Sequence, residues 1–373
     1  ADDRVARIGE SRFAVILAPG STCDPEALTH LTSRIRSTAE EPATVDGGAH
    51  GLTTYTGACS LSRLRGSVTG ARLFEAARLA LADAAAQAPS AVRIWTEAMS
   101  ETFHARRVMD AELREALTGG QIQPWFQPQV CTETGQVSGL AVLARWSHPE
   151  RGVIPPGHFL RTLNETGQIA RLAELMLRES LAAMHRWEAD GVRLPRVSVT
   201  LTATGLDAPG FPDRVAWELD RFGLAPHRLG FDIPGTASAP DTASAGAVAA
   251  LSDLGCFVQL DGFGTGEAAL TALTAMPVDR VKIDRSHVTR LDRDAGRRQM
   301  VSALIGFAET MGVETLAAGV ESAGEHAVLA QLGCGHVEGF GIGRPMPADA
   351  VPGWVSAGDM RAPSAIGPRR ESG

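Results

Sequence analysis

At 373 residues, with 44% hydrophobic and 21% charged residues, the chain is long enough for two domains and has the make-up of an ordinary soluble globular protein. Its formal net charge of −8 argues against a nucleic-acid partner or an anionic membrane surface, since both call for an excess of Lys and Arg. A small anionic ligand stays compatible, because a pocket needs only a few local cations.

Five cysteines (Cys23, Cys59, Cys131, Cys256, Cys334) make an odd number with no C-x-x-C pair, which argues against a disulfide framework or a structural zinc site and fits a reducing cytoplasm. No apolar run reaches the roughly 18–20 residues a membrane span needs, and no signal-peptide pattern is present. The chain opens at Ala1 rather than Met, which fits a piece of a longer polypeptide.

In chain order, strand-like runs at 5–8 and 13–17 flank Gly9-Glu10-Ser11-Arg12 and predict a β-hairpin with a polar tip. A helix over 25–37, a second hairpin closing through Asp46-Gly47-Gly48, a helix over 73–86 and a strand at 92–95 give about 95 residues of α+β character. Residues 97–117 lack Gly and Pro and place Phe103, Met109, Leu113 and Leu117 at helical spacing, a connecting helix that stops at Gly119-Gly120.

From Gln121 onward strands alternate with helices. The predicted strands are 124–130, 139–145, 197–202, 229–233, 257–261, 278–283, 314–318 and 336–338, with helices such as 169–187 and 300–311 between them. In the latter, Met300, Leu304, Phe307, Ala308 and Met311 form one apolar face. Eight strands separated by helices over about 230 residues suit a (β/α)8 TIM-like barrel better than an open sheet. The tail from 356 is read as flexible.

Barrels of this kind place function at the C-terminal ends of their strands. Those ends carry Arg145-Trp146, Thr200, Thr202, Asp232, Asp261, Lys282 and Glu338. Asp261-Gly262-Phe263-Gly264-Thr265-Gly266 puts a carboxylate at the end of an apolar strand and follows it with a glycine-rich loop. Such a loop either lets backbone N–H groups approach a phosphate or is simply a tight strand-to-helix turn. Lys282 is the type of cation that would hold a second phosphate oxygen.

Together these residues carry a resemblance. The motifs are Gln127-Pro128, Arg145-Trp146-x-His148-Pro149, Glu165-Thr166-Gly167, Asp261-x-Phe263-Gly264-Thr265-Gly266, Lys282-Ile283-Asp284-Arg285-Ser286, Gly319-Val320-Glu321, Leu332-Gly333-Cys334, and Gly339-Phe340 with Arg344-Pro345. In that order, over nearly all of 121–347, the chain resembles the EAL-domain phosphodiesterases that hydrolyse cyclic di-GMP. The N-terminal part resembles the second half of a GGDEF (diguanylate cyclase) domain, with Gly9-Glu10-Ser11-Arg12-Phe13 at the signature position. The implied organisation is a partial, degenerate GGDEF domain over 1–95, a linker helix over 96–120, a degenerate EAL domain over 121–355 and a tail over 356–373.

The EAL resemblance implies hydrolysis by a pair of Mg²⁺ or Mn²⁺ ions held on carboxylates. Against that pattern Ala141 stands in place of the name-giving Glu, so that the motif reads Ala141-Val142-Leu143. Thr200 replaces a ligand Asn, Gly235 and Ala318 replace Glu, Gly262 replaces Asp, and Glu338 replaces Gln. Asp232 (a carboxylate in place of Glu), Asp261 and Lys282 are retained. Hard divalent cations want several oxygen ligands in defined geometry, so no metal and no turnover are expected. The cyclase signature fails in the same way: Glu10 lacks the second glycine's freedom, and Ser11 and Arg12 replace both acids.

The resemblance leaves Gln127, Leu143, Arg145, Asp261, Gly264, Thr265, Gly266, Lys282 and Pro345 as ligand-binding candidates. Arg145 either contacts a phosphate or guanine or makes a salt bridge under the rim. Gln127 either meets a base or caps a strand. Asp261 and Lys282 either serve the ligand or pair with each other in the emptied site. Glu338 adds negative charge that disfavours an anionic ligand unless Lys282 or Arg145 compensates. His148, His287 and His336 are read as structural. The expected function is a cytoplasmic cyclic di-GMP receptor acting on a protein partner. The alternatives are a nucleotide-independent interaction scaffold and a residual phosphodiesterase yielding the linear dinucleotide. The family also implies homodimers through the barrel and a signal passed along the connecting helix.

Overall fold

The computed structural model describes residues 3–17, 25–45, 48–64, 68–87, 90–235 and 243–357. It divides into two compact units, Ala1–Met109 and Asp110–Gly373.

The first unit opens with β1 (Arg4–Arg7) and β2 (Phe13–Ile16), antiparallel with Arg4 opposite Ile16 and Arg7 opposite Phe13. The Ile8 amide donates to the Arg12 carbonyl at 2.9 Å, closing the polar tip where the sequence places it. The Arg7 guanidinium donates to the carbonyls of Gly9 (3.1 Å) and Glu10 (2.5 Å) and so braces the same tip. Val5, Phe13, Val15 and Ile16 are exposed. A two-stranded sheet with its apolar side chains open to water has little stability of its own.

Next come α1 (Pro25–Ala39) and the short antiparallel pair β3 (Ala43–Val45) and β4 (Gly48–His50), whose expected turn residues Asp46 and Gly47 lie outside the described residues. β5 (Thr56–Ala58), α2 (Gly70–Gln87) and β6 (Val92–Ile94) form a parallel crossover, with Thr56 opposite Val92. The small core here is Ala76, Leu79, Ala80 and Trp95, with Cys59, Leu64, Met99 and Phe103 packed against it. The division between units falls within α3 (Glu97–Thr118).

The second unit is a closed barrel. Its strands are β7 (Ile122–Cys131), β8 (Val137–His148), β10 (Val197–Thr200), β11 (Leu229–Pro234), β12 (Phe257–Phe263), β13 (Arg280–Ile283), β14 (Glu314–Ala317) and β15 (His336–Glu338). The short strands β9 (Gly152–Ile154) and β16 (Met346–Pro347) extend it beside β8 and β7. Helices α4 (Leu160–Glu165), α5 (Ile169–Ala189), α6 (Ala203–Leu206), α7 (Phe211–Phe222), α8 (Ala243–Asp253), α9 (Glu267–Ala275), α10 (Arg285–Val288), α11 (Ala295–Thr310) and α12 (Ala323–Gln331) follow the strands, and α13 (Val351–Ala357) comes last.

From β8 round to β15 every neighbouring pair is parallel, but β7 runs antiparallel to both β8 and β15. The eight expected strands are therefore present, with one reversed. The reason is local: β7 and β8 are joined by a short turn in which the Gly135 amide donates to the Cys131 carbonyl (2.9 Å), and only antiparallel neighbours can be joined without a crossover.

One expectation needs correction. In α11 the residues facing the core are Val301, Ile305 and Ala308, while Met300, Phe307 and Met311 are exposed. The helix is apolar on two adjacent flanks, and apolar spacing alone does not say which flank turns inward. Residues 358–373, the greater part of the tail, lie outside the described residues. Among the described residues no helix is long and apolar enough to cross a membrane.

Candidate functional site

Five polar side chains meet inside the apolar barrel. Gln129 enters from β7, Asp232 from β11, Gln259 from β12, Lys282 from β13 and Glu338 from β15. All are buried, Asp232 and Gln259 completely. The Lys282 ammonium lies 2.7 Å from Glu338 Oε1 and 3.3 Å from Asp232 Oδ2. The remaining oxygen of each carboxylate accepts from a glutamine amide: Gln129 Nε2 donates to Glu338 Oε2 at 2.8 Å, and Gln259 Nε2 donates to Asp232 Oδ1 at 3.1 Å. The result is an amide–carboxylate–ammonium–carboxylate–amide chain. Buried polar groups demand such pairing, since an unpaired charge there is very costly.

Two carboxylates on one ammonium leave an excess of negative charge. Burial pushes the Asp232 carboxyl up to about 6, with Asp261 and Glu338 adding to the rise and Lys282 opposing it. Burial works against the Lys282 ammonium too, but Glu338, Asp232 and Asp261 together hold its pKa well above the ordinary lysine value. The sequence left open a pair between Asp261 and Lys282; the structure gives Lys282 to Asp232 and Glu338 instead. The charge added by Glu338 is the one Lys282 compensates.

Asp261 sits at the edge of this network, where Oδ1 accepts from the Gly262 amide at 2.9 Å. The loop after it lines a cleft of about 200 Å³ with Pro234, Gly235, Asp261, Gly262, Thr265, Gly266, Ala268 and Ala269. Gly235 and Gly262, the two positions where the resemblance implies an acid, thus border one hollow. A β-carbon on Gly235 would come 3.0 Å from that of Ala269, so α9 has closed on the space where a longer side chain would start. Thr265 Oγ1 donates to the Gly262 carbonyl at 2.7 Å, which fixes the turn.

Gly264 has a different role from the one the loop suggested. Its φ is +97°, and a β-carbon there would lie 2.8 Å from Leu304 Cδ1 and 2.9 Å from His287 Nε2. His287 Nε2 also lies 3.0 Å from the Gly264 carbonyl oxygen. The glycine lets the loop pack against α10 and α11, so its need is structural and it does not face the cleft.

At the rim, Arg145 near the end of β8 is half-buried, and burial lowers its pKa. Its guanidinium donates to the Ala144 carbonyl (2.9 Å) and lies 5.8 Å over the ring of Trp125. Among the described residues it has no carboxylate within ion-pair distance, so the salt bridge open to it from sequence is not made. Gln127 Nε2 donates to the Gly343 carbonyl at 3.1 Å, tying β7 to the loop that carries Pro345. Leu143 is half-buried opposite Trp125, and Thr200 is exposed where β10 ends beside Asp232. Ala141 is buried, and Ala318 follows β14 with its amide donating to Ile283 (3.0 Å).

The histidines stand apart, each in its own contacts: His148 beside Glu112 and Arg151, His287 on Gly264, His336 beside Glu314. The sequence reading missed Trp125, Gln129 and Gln259. Trp125, Gln127 and Gln129 alternate along one face of β7, and Gln259 stands two residues before Asp261 on β12, so the period of two that marks a strand face was the signal for all three.

The donor set decides whether a pair of divalent ions fits. Asp232 and Glu338 each have one oxygen on the ammonium and one on an amide, leaving Asp261, while Ala141, Gly235, Gly262 and Ala318 offer no side-chain oxygen. Among the described residues no three His, Cys, Asp or Glu side chains are placed to hold a metal ion. The residues present do not fit a two-metal centre.

The family model described as EAL domain matches residues 110–345, more than half of the sequence. The chain belongs to the EAL domain family. An uncharacterized signaling protein of Caulobacter vibrioides is 31% identical over 368 residues, covering 98% of this chain and 44% of the relative. The bifunctional diguanylate cyclase/cyclic di-GMP phosphodiesterase MucR of Pseudomonas aeruginosa is 29% identical over 359 residues, covering 94% of this chain and 51% of MucR. The chain therefore spans about half the length of these relatives. Among solved structures, the PaMucR phosphodiesterase in its c-di-GMP complex superposes with a TM-score of 0.62 at 33% identity, over 65% of this chain and 99% of that one. The EAL barrel described above is thus the family's barrel.

Proposed function

We propose that this EAL protein is a cyclic di-GMP receptor that binds the intact dinucleotide without metal and does not hydrolyse it. One observation carries the reading: Arg145, half-buried beside Trp125, is a cation with no carboxylate partner among the described residues, placed for an anionic ligand with an aromatic face alongside. The PaMucR complex, in which c-di-GMP is bound on the same fold, supports the ligand class. The ligand contacts are assigned to Arg145, Leu143, Pro345 and the cleft residues Asp261, Thr265 and Gly266, with Gln127 holding the rim. Loss of catalysis rests on the donor set: without anionic oxygens for two ions, no metal-activated water is generated.

The first unit is read as the later part of a degenerate GGDEF domain. The braced Gly9-Glu10-Ser11-Arg12 tip and the cyclase named in MucR support this. A partner protein, reached directly or as a homodimer, would carry the output.

A second reading, an interaction scaffold that ignores nucleotide, is favoured by the excess negative charge of Asp232 and Glu338 around Lys282. Titration calorimetry with cyclic di-GMP, with and without Mn²⁺, followed by chromatography of the recovered nucleotide, separates these. The receptor gives micromolar or tighter binding unchanged by Mn²⁺ and returns intact ligand. Absence of heat selects the scaffold, and linear dinucleotide restores the phosphodiesterase.

A further inference from the structure

The sequence contains thirty-four arginines and one lysine, and that lysine is Lys282. A chain that uses arginine for every other fixed cation has kept an ammonium at one buried place. The geometry explains why. A compact ammonium fits between carboxylate oxygens at 2.7 Å and 3.3 Å, where a planar guanidinium of five donors would not. Both carboxylates are held from behind by Gln129 and Gln259, so the ammonium cannot leave without stranding buried charge.

Of its two partners, Glu338 is the nearer. It lies on β15, across the barrel from Asp232 on β11, and draws the ammonium toward the side closed by β7. Gln129 and Glu338 face each other in the β7–β15 register, so that carboxylate is set by the sheet itself.

We propose that Glu338 is a locking residue that commits the only lysine of the chain to the barrel interior, where its ammonium serves as a fixed internal cation out of reach of both divalent ions and ligand phosphate. Lys282 is then a structural cation, and divalent ions are kept out because the ammonium and the two glutamine amides already occupy the carboxylate oxygens. Only the ligand part of this inference rests on the receptor reading.

The single lysine makes the test direct. With lysine labelled at Cε with ¹³C and at Nζ with ¹⁵N, the whole chain carries one side-chain ammonium signal. In the wild-type protein the signal is expected to keep its linewidth on addition of Mn²⁺ to several equivalents, and to stay in place when cyclic di-GMP is added. In Glu338→Gln, the neutral variant of the same shape, exchange of the ammonium hydrogens with water is expected to speed up at least tenfold. Broadening of the wild-type signal by one equivalent of Mn²⁺, a ligand-induced shift of the size a phosphate contact gives, or unchanged exchange in Glu338→Gln would each overturn the lock. Should calorimetry record no cyclic di-GMP binding, the receptor reading fails while the Mn²⁺ and exchange measurements still decide this one. Should Glu338→Gln not fold, the wild-type Mn²⁺ measurement decides it.

Discussion

Lys282 Nζ lies 2.7 Å from Glu338 Oε1, inside a barrel whose other interior side chains are mostly apolar. Removing the ammonium leaves two buried carboxylates facing each other. Lys282→Met is expected to destabilise the second unit by about 3–5 kcal/mol, the usual cost of breaking a buried ion pair from one side. Adding Glu338→Gln to it should recover part of that loss. Urea unfolding of both variants checks this; equal stability of Lys282→Met and wild type would contradict it.

Glycines 264 and 266 should respond to alanine to different degrees. Gly264 combines φ +97° with a β-carbon position 2.8 Å from Leu304 Cδ1, whereas Gly266 has no atom within 4 Å of its position. Gly264→Ala is expected to cost roughly 1–3 kcal/mol. Gly266→Ala should cost under about 1 kcal/mol, as substitutions in open space do. Thermal denaturation compares them.

Much of the architecture was legible before any coordinates. Eight apolar strands punctuated by helices specify a barrel, and β15 falls at residues 336–338 as expected from the run ending in Glu338. What the pattern could not convey was direction and depth. The reversal of β7 depends on a short turn, and the inward flank of α11 depends on what packs beside it. The site divides in the same way. Strand-end positions marked Asp232, Lys282 and Glu338, but who pairs with whom is set by distances across the barrel, between residues 50 and 56 positions apart in sequence. Gly264 looked like a phosphate-loop glycine because packing and binding ask the same freedom of the backbone.

The acid limb of stability should show one clear contribution. At the strand starts Glu314 accepts from Arg280 (2.6 Å) and lies beside His336 (3.5 Å), and these contacts, His336 foremost, bring its carboxyl down to about 2. Because the folded value lies below the unfolded one, the unfolded chain binds more protons between them. This contribution is therefore complete above pH 4.5 and is lost as pH falls toward 2. The raised value of Asp232 acts in the opposite direction between pH 3.8 and 6, so the comparison must be made by difference. Glu314→Gln should lose less stability than wild type between pH 5 and pH 3 in urea titrations; parallel losses would remove the assignment.

Among the described residues Arg145 has no carboxylate to leave behind. Arg145→Met is expected to lower cyclic di-GMP affinity roughly tenfold or more, the size of a lost charge-assisted hydrogen bond. It should change unfolding stability by under about 1 kcal/mol, because no ion pair is broken. Calorimetry beside thermal denaturation reads both, and loss of affinity only in step with loss of fold would count against a contact role.

The most direct measurement keeps the protein with cyclic di-GMP and Mn²⁺ at neutral pH, isolates the complex and identifies the bound nucleotide by mass. The expected result is one intact cyclic dinucleotide per barrel, in the same amount when EDTA replaces Mn²⁺. Linear dinucleotide accumulating with Mn²⁺, or a complex that forms only when the ion is present, would contradict the metal-free receptor.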